Sequence, residues 1–412
     1  MSDSLKPPQP KKIPKVHSAH GDERIDDYYW LRDDTRKDPE VISYLEAENQ
    51  YLEDWFASKG DCRQEIYDEL VSFIPPHEVS MKIKYGDYLY FSEISADQQY
   101  KTYYREIDGI KELVLDVNAL AKGLDYFNVA SLTPSSDNLL IAYAEDLSGR
   151  REYNIKVKDL ASGEIIDSAI ERSSGSVVWD KQNTCIYYAQ KDPVTLIENK
   201  VYKHKLGTDA SEDILIYEEH DTEFHLNIYE SRTKKYLYIY ISKTEASETW
   251  LLDLEDETGK PFCILTRSEK HLYSVEDTPE CFYAISDADD KKNFALLKFS
   301  HAQINDYKSW ETVIEHNSAM LIEDFEAFPD YIYLEVREDG LPKILKMHRQ
   351  TLEKQYIEFS EPAFSCYLAT NNEYLANEFY YGYSSPKKPW SIRQEDTATG
   401  TSYLVCQQSV ST

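Results

Sequence analysis

A short, tyrosine-rich run recurs along most of this chain, and that recurrence limits the fold more than any other feature. Its copies are Tyr88-Leu-Tyr-Phe, Leu139-Leu-Ile-Ala-Tyr, Cys185-Ile-Tyr-Tyr, Tyr236-Leu-Tyr-Ile-Tyr, Cys281-Phe-Tyr-Ala-Ile, Tyr331-Ile-Tyr-Leu and Tyr374-Leu-Ala. They return about every 45–50 residues, the period of four-stranded propeller blades. A turn precedes each run, as in Pro134-Ser-Ser-Asp-Asn and Asp277-Thr-Pro-Glu, where Asx geometry and positive φ reverse a strand. A second strand follows (Asn154-Ile-Lys-Val, Trp250-Leu-Leu-Asp, Lys343-Ile-Leu-Lys), then a last one (Glu112-Leu-Val-Leu, Ile214-Leu-Ile-Tyr, Tyr403-Leu-Val). An inner strand such as Ser176-Val-Val-Trp179 comes first. Four antiparallel strands per repeat and seven repeats predict an all-β fold, a seven-bladed β-propeller over residues 77–412. A β-sandwich would need all these registers to agree by accident.

Residues 1–76 read differently, as a short α-helical extension. Pro39 and Glu40 suit the first turn of a helix. From there Val41, Tyr44, Leu45, Tyr51, Leu52, Trp55 and Phe56 recur at near-helical spacing. A second helix is expected through Glu65-Ile66-Tyr-Asp-Glu-Leu70, ended by Pro75-Pro76.

Composition narrows the function classes. Lys+Arg number 45 against 75 Asp+Glu, a formal charge of −30, which argues against a nucleic-acid partner. It favours attraction of cationic ligands if the acids line a cavity. With 34 Tyr against 14 Phe, the chain suits half-buried pleated surfaces on which the ring packs and the hydroxyl reaches water. The scattered Cys62, Cys185, Cys263, Cys281, Cys366 and Cys406 form neither a disulfide framework nor a zinc pattern and suit a reducing compartment. Met1 to Lys15 lacks the apolar core of a signal peptide, and no run approaches the ~18 apolar residues of a membrane span. A cytoplasmic protein without membrane partner is expected.

The stretch Asp22-Glu-Arg24-Ile-Asp26-Asp-Tyr28-Tyr29-Trp30-Leu31-Arg32-Asp33, followed by Asp38-Pro39-Glu40-Val41 and Tyr44-Leu45-Glu46-Ala47-Glu48-Asn49, resembles the N-terminal signature of the prolyl oligopeptidase family, in its oligopeptidase B branch. Ala144-Glu145-Asp146, Asp192-Pro193-Val194-Thr195-Leu196, Asn293-Phe294 and Tyr381-Gly382-Tyr383-Ser384-Ser385-Pro386 extend the likeness through the repeats. The resemblance implies a propeller that caps an α/β-hydrolase domain and admits only short peptides, which are cleaved after Arg or Lys. It also implies that the N-terminal extension wraps onto that hydrolase domain. The family's Ser/Asp/His triad lies in a long continuation past the last repeat, where this sequence has only Gln407-Gln-Ser-Val-Ser-Thr412. No catalytic residue and no cofactor are therefore expected in these residues, and an α/β-hydrolase domain supplied separately is an expected partner, beside short basic peptides.

The residues themselves offer little chemistry. Gly382-Tyr-Ser384-Ser-Pro386 is the nearest approach to a nucleophile elbow, but Pro replaces the second glycine and no helix pattern follows. Asp287-Ala-Asp289-Asp290 starts like a calcium loop, yet Lys292 and Lys298 occupy the positions that need Gly and Glu. Paired carboxylates, as a propeller glycosidase would use, are uninformative among so many acids. Glu145, Asp146, Arg150 and Arg151 flank a Leu-Ser-Gly turn and are candidate interdomain contacts; solvated turn charges are the plainer alternative. Tyr44 and Trp55 are the corresponding candidates on the first helix, whose apolar face predicts self-association or a mobile N-terminus if nothing covers it. The sequence thus supports a non-catalytic propeller segment that filters and steers basic peptides. The alternative is a stand-alone interaction scaffold.

Overall fold

The computed structural model describes residues 5–256 and 259–409. Two compact units divide the chain, the first closing at Pro76 and the second opening at His77.

In the first unit, Lys15–Ala19 and Asp22–Asp26 pair as an antiparallel ribbon. Sequence patterning did not signal this ribbon, because none of its residues is buried and so no apolar alternation is imposed on it. Asp33 then organises the approach to the first helix. Its carboxylate accepts from the Thr35 N–H at 2.9 Å, the Lys37 N–H at 2.5 Å and the Asp38 N–H at 2.6 Å. The Asp38 N–H first, then the Thr35 hydroxyl, hold its pKa down at about 2. Helix α1 runs Pro39–Ala57, with Asp38 as N-cap accepting from the Glu40 N–H. Helix α2 runs Cys62–Ser72. Both carry apolar side chains outward: Leu45 is 53 %, Leu52 47 % and Leu70 61 % exposed.

The second unit is an all-β propeller. Four separate four-stranded antiparallel sheets span 225–265, 273–314, 320–356 and 365–407. Before them come a five-stranded sheet over 77–116 and a seven-stranded sheet over 128–218. The expected seven separate sheets are therefore not what the hydrogen bonding gives. The difference lies in Ile165–Trp179, a 15-residue strand. Its first half pairs with Tyr153–Asp159 and its second half with Cys185–Lys191. Gly175 sits at its bend with φ +96°, and a Cβ there would meet the Ala130 Cβ at 3.0 Å and the Tyr153 ring at 3.1 Å. A bend of this kind needs glycine.

Apolar side chains pack between consecutive sheets. One cluster joins Tyr238 and Leu251 to Phe282 and Leu297, the next Tyr283 and Leu296 to Ile322 and Leu334, and another Phe328 and Tyr333 to Phe379 and Tyr381. Face-to-face packing of successive antiparallel sheets by radial repetition leaves a central channel lined by the first strand of each. Some of the tyrosines join the sheets through their hydroxyls: Tyr238 donates to Asp277 at 2.9 Å, Tyr333 to Glu395 at 2.9 Å, and Tyr90 to Asn138 at 2.7 Å. Each ring fills the gap between sheets while its hydroxyl satisfies a polar atom that burial would otherwise leave unpaired.

Six of the seven recurring runs lie on strands. The seventh does not. Tyr374-Leu375 is a turn, with Leu375 77 % exposed and the Tyr374 hydroxyl held by Arg349 at 2.8 Å. The strand of that repeat is Glu378–Ser385, which buries Phe379, Tyr381 and Tyr383 on one face. Among the described residues, no helix is long and apolar enough to cross a membrane.

Candidate functional site: an acidic cluster at the propeller channel

The four charged residues expected to make interdomain contacts flank the segment that follows Leu140–Asp146. Glu145 and Asp146 are buried within the propeller, 3 % and 0 % exposed. Glu145 pairs with Lys156 at 2.5 Å. Asp146 closes its own turn, accepting from the Ser148 N–H at 2.8 Å, the Gly149 N–H at 3.0 Å and the Arg151 N–H at 2.7 Å. Burial alone would raise its pKa; the Ser148 and Arg151 amides outweigh that and hold it down. Arg150 and Arg151 are exposed; Arg150 lies 3.6 Å from Glu152, and the Arg151 carbonyl accepts from Lys191 at 2.7 Å. In the first unit Tyr44 donates to Glu48 and meets Trp30 edge-on at 6.3 Å. Trp55 is 41 % exposed, with Lys59 over its ring at 4.9 Å.

The structure assembles a different cluster. Glu276 lies near the end of Tyr273–Asp277, and Asp324 and Glu326 near the end of Met320–Ala327. These are the first strands of two consecutive sheets. Arg232, in the turn after the first strand of the 225–265 sheet, reaches across them. Its Nε donates to the Asn371 carbonyl at 2.7 Å and its guanidinium to the Ala327 carbonyl at 2.8 Å and Glu276 at 3.5 Å, while lying 4.3 Å over the Phe328 ring. One side chain thus spans from its own sheet to three others. Glu276 also accepts from the Ala327 N–H at 2.6 Å, and Glu326 from Asn371 Nδ2 at 2.7 Å. Beside them Asp277 accepts from Tyr238 and Thr233.

Burial sets the electrostatics. It raises Glu276 to about 7, with Arg232 and the Ala327 amide pulling the other way. Glu326 rises to about 8, again chiefly by burial, opposed by Arg232 and reinforced by Glu276 and Asp324. Asp277 and Asp324 are raised for the same first reason. Tyr229 stacks on Tyr238 at 5.0 Å and its hydroxyl is also pushed up by burial, yet 41 % of its surface is accessible. The cluster stands on the first strands of its sheets, the strands that line a propeller's channel, with Glu276 and Glu326 beside one guanidinium and a negative charge that grows through the neutral range.

None of these residues was singled out from the sequence. The only local signal is a pair of inner-strand acids, Glu276-Asp277 and Glu323-Asp324, repeated in adjacent repeats. Their convergence depends on strand register and on a bulge between Ile322 and Asp324. Gly382-Tyr-Ser384 lies on Glu378–Ser385 and the hairpin after it, not on a strand-to-helix turn. Asp287-Ala-Asp289-Asp290 lies in a turn, with Asp289 and Asp290 at positive φ. Among the described residues no group of three His, Cys, Asp or Glu could hold a metal.

A propeller with an acidic cluster on its inner strands is the class of protein that fold and site define. Comparison with known proteins narrows it. Residues 7–408 match the family model of the prolyl oligopeptidase N-terminal β-propeller domain. The chain is 31 % identical to dipeptidyl aminopeptidase BI of Pseudoxanthomonas mexicana over 100 % of its own length and 59 % of the relative's. It is also 31 % identical to protease 2 of Moraxella lacunata, over 93 % of this chain and 56 % of that one. The structure of oligopeptidase B from Leishmania major superposes with a TM-score of 0.92 at 26 % identity, covering 99 % of this chain and 61 % of that one. This chain belongs to the prolyl oligopeptidase family and spans a little over half the length of these relatives. The resemblance carried by Tyr28–Asn49 and the repeats is thereby confirmed.

Proposed function

We propose that these residues are the substrate-filtering propeller of an oligopeptidase B-like serine peptidase, acting on short peptides with basic side chains and carrying none of the catalytic triad themselves. The observation that carries this reading is the gathering of Glu276, Asp324 and Glu326 on the first strands of two consecutive sheets. Carboxylates in a low-dielectric lumen raise the local concentration of cationic peptides, while the lumen's width excludes folded chains. Reading the seven-stranded sheet as two blades fused through Ile165–Trp179 makes seven blades in all, the arrangement the sequence repeats predict. The exposed apolar residues of α1 and α2, with Tyr44 and Trp55 among the contacts, are proposed to pack on an α/β-hydrolase domain. The six free thiols support a cytoplasmic setting. Incubation of the 412-residue chain with Arg-containing peptides tests the catalytic part. No turnover is expected, and turnover abolished by a serine-directed inhibitor would overturn it. A stand-alone scaffold is the second reading, favoured by Tyr403 and Leu404, 55 % and 53 % exposed on an outer strand. An α/β-hydrolase reading frame directly following the codon for Thr412 would decide against it.

A further inference from the structure

We infer that the cleft between the 320–356 and 365–407 sheets is a second binding site, for a small carboxylate-bearing ligand with an apolar body, and that Arg393 is its anchor. The inference rests on charge pairing and stands independently of the channel reading. This chain holds 75 Asp+Glu against 45 Lys+Arg, so a partly buried arginine has carboxylates to choose from. Arg105 pairs with Glu112 at 2.7 Å, Arg232 with Glu276 at 3.5 Å, Arg267 with Glu248 at 3.4 Å, and Arg349 with Glu280 at 3.0 Å. Arg393 is partly buried as well, yet it has no ion-pair or side-chain hydrogen-bond partner among the described residues. A guanidinium drawn partly out of water without an acceptor is unfavourable, and its planar fork matches a carboxylate in bidentate fashion.

Arg393 lines a cleft of about 400 Å³. The other cations there are already engaged. Lys346 donates to Glu395 at 2.9 Å and the Thr397 carbonyl at 2.8 Å, and Lys388 pairs with Glu361 at 2.8 Å. Glu358 stands exposed at the rim, where solvent screens it. Part of the wall is aromatic: Phe359 stacks on Tyr383 at 4.8 Å and meets Tyr381 edge-on at 6.1 Å. The Tyr381 hydroxyl is satisfied by Ser402 at 2.7 Å. An unpaired guanidinium beside these rings selects a ligand with an anionic head and an apolar body. Two sources present that chemistry, the free C-terminus of a short peptide and a free aromatic acid.

Calorimetric titration of the 412-residue chain tests the assignment, with N-acetylphenylalanine, its amide, acetate, and glycyl-phenylalanine with and without a C-terminal amide as probes. N-acetylphenylalanine or the dipeptide acid is expected to bind with Kd on the order of 1 mM or tighter, with both amides and acetate at least about tenfold weaker. Arg393→Gln is expected to weaken the acids to the level of their amides, and Arg393→Lys to restore part of the loss. The tighter of the two acids identifies the source. Equal affinity for acid and amide in the natural sequence, equal affinity of natural and Arg393→Gln chains, or no binding by any probe would overturn the site.

Discussion

His204 shows how far a single residue can couple the fold to pH. Its ring is wholly buried, with Nδ1 2.6 Å from Asp213 and Nε2 3.1 Å from Asp167. A carboxylate can only accept, so both ring nitrogens carry protons and the imidazole is a cation between two anions. Burial would lower its pKa, but the hydrogen bonds to Asp167 and Asp213 outweigh that and raise it. Asp167 moves the other way: burial would raise it, and His204 with the Ala169 and Gly207 amides brings it below its ordinary value. A raised histidine stabilises the fold fully below its unfolded pKa of about 6.5 and loses that contribution as pH rises through the folded value. A lowered aspartate contributes above about 3.9 and loses it as pH falls. The clasp is thus strongest in mildly acid solution. His204→Ala strands two buried carboxylates and is expected to cost about 3–5 kcal/mol in urea denaturation, with the gap from the natural protein shrinking between pH 6 and pH 9. A constant gap would show that His204 does not titrate as argued. The sequence held no sign of this arrangement, since Asp167 on Ile165–Trp179, His204 on Glu198–Lys205 and Asp213 just before Ile214–Glu218 meet only in the folded sheet.

At the scale of the element, the strand Ile165–Trp179 and the acidic ends of the inner strands carry the main departures from the sequence reading. Ser176-Val-Val-Trp179 reads as a separate inner strand, and the structure places it in one continuous strand whose halves serve different partners. Gly175→Ala combines a left-handed φ with a crowded Cβ and is expected to destabilise by about 1–3 kcal/mol. An unchanged denaturation midpoint would mean that the bend relaxes freely. In the channel, Glu326 has a raised pKa, so its penalty to the folded state is absent below about pH 4.3 and develops as pH rises towards 8. Glu326→Gln keeps an acceptor for Asn371 and is expected to raise stability by roughly 1 kcal/mol or more at pH 9, with no gain near pH 4; equal stability at both would contradict the assigned burial. Most strands were legible because alternating aromatic and β-branched residues fit a half-buried pleat and little else. The Tyr374 run misled because an aromatic residue that packs from a turn leaves the same letters as one that packs from a strand.

For the whole molecule, repeat period gave the architecture, while the candidate site stayed hidden. With 75 acids in the chain, only three-dimensional register picks out those that face the lumen. Two consequences belong at this scale. The outward apolar stripe of α1, with Ile42 39 %, Leu45 53 %, Leu52 47 % and Trp55 41 % exposed, predicts self-association of the 412-residue chain. Light scattering is expected to show oligomers that Leu45→Glu with Leu52→Glu reduces to monomers; a monomeric natural chain would contradict this. The other consequence concerns the channel, on which the functional account depends. The most direct measurement is the affinity of a labelled Arg-containing tetrapeptide, by fluorescence anisotropy at pH 9, for the natural chain and for Glu276→Gln with Glu326→Gln. The account predicts binding to the natural chain that weakens at least about fivefold in the variant and with added salt. Equal binding by both, or stronger binding of an acidic tetrapeptide, would contradict it.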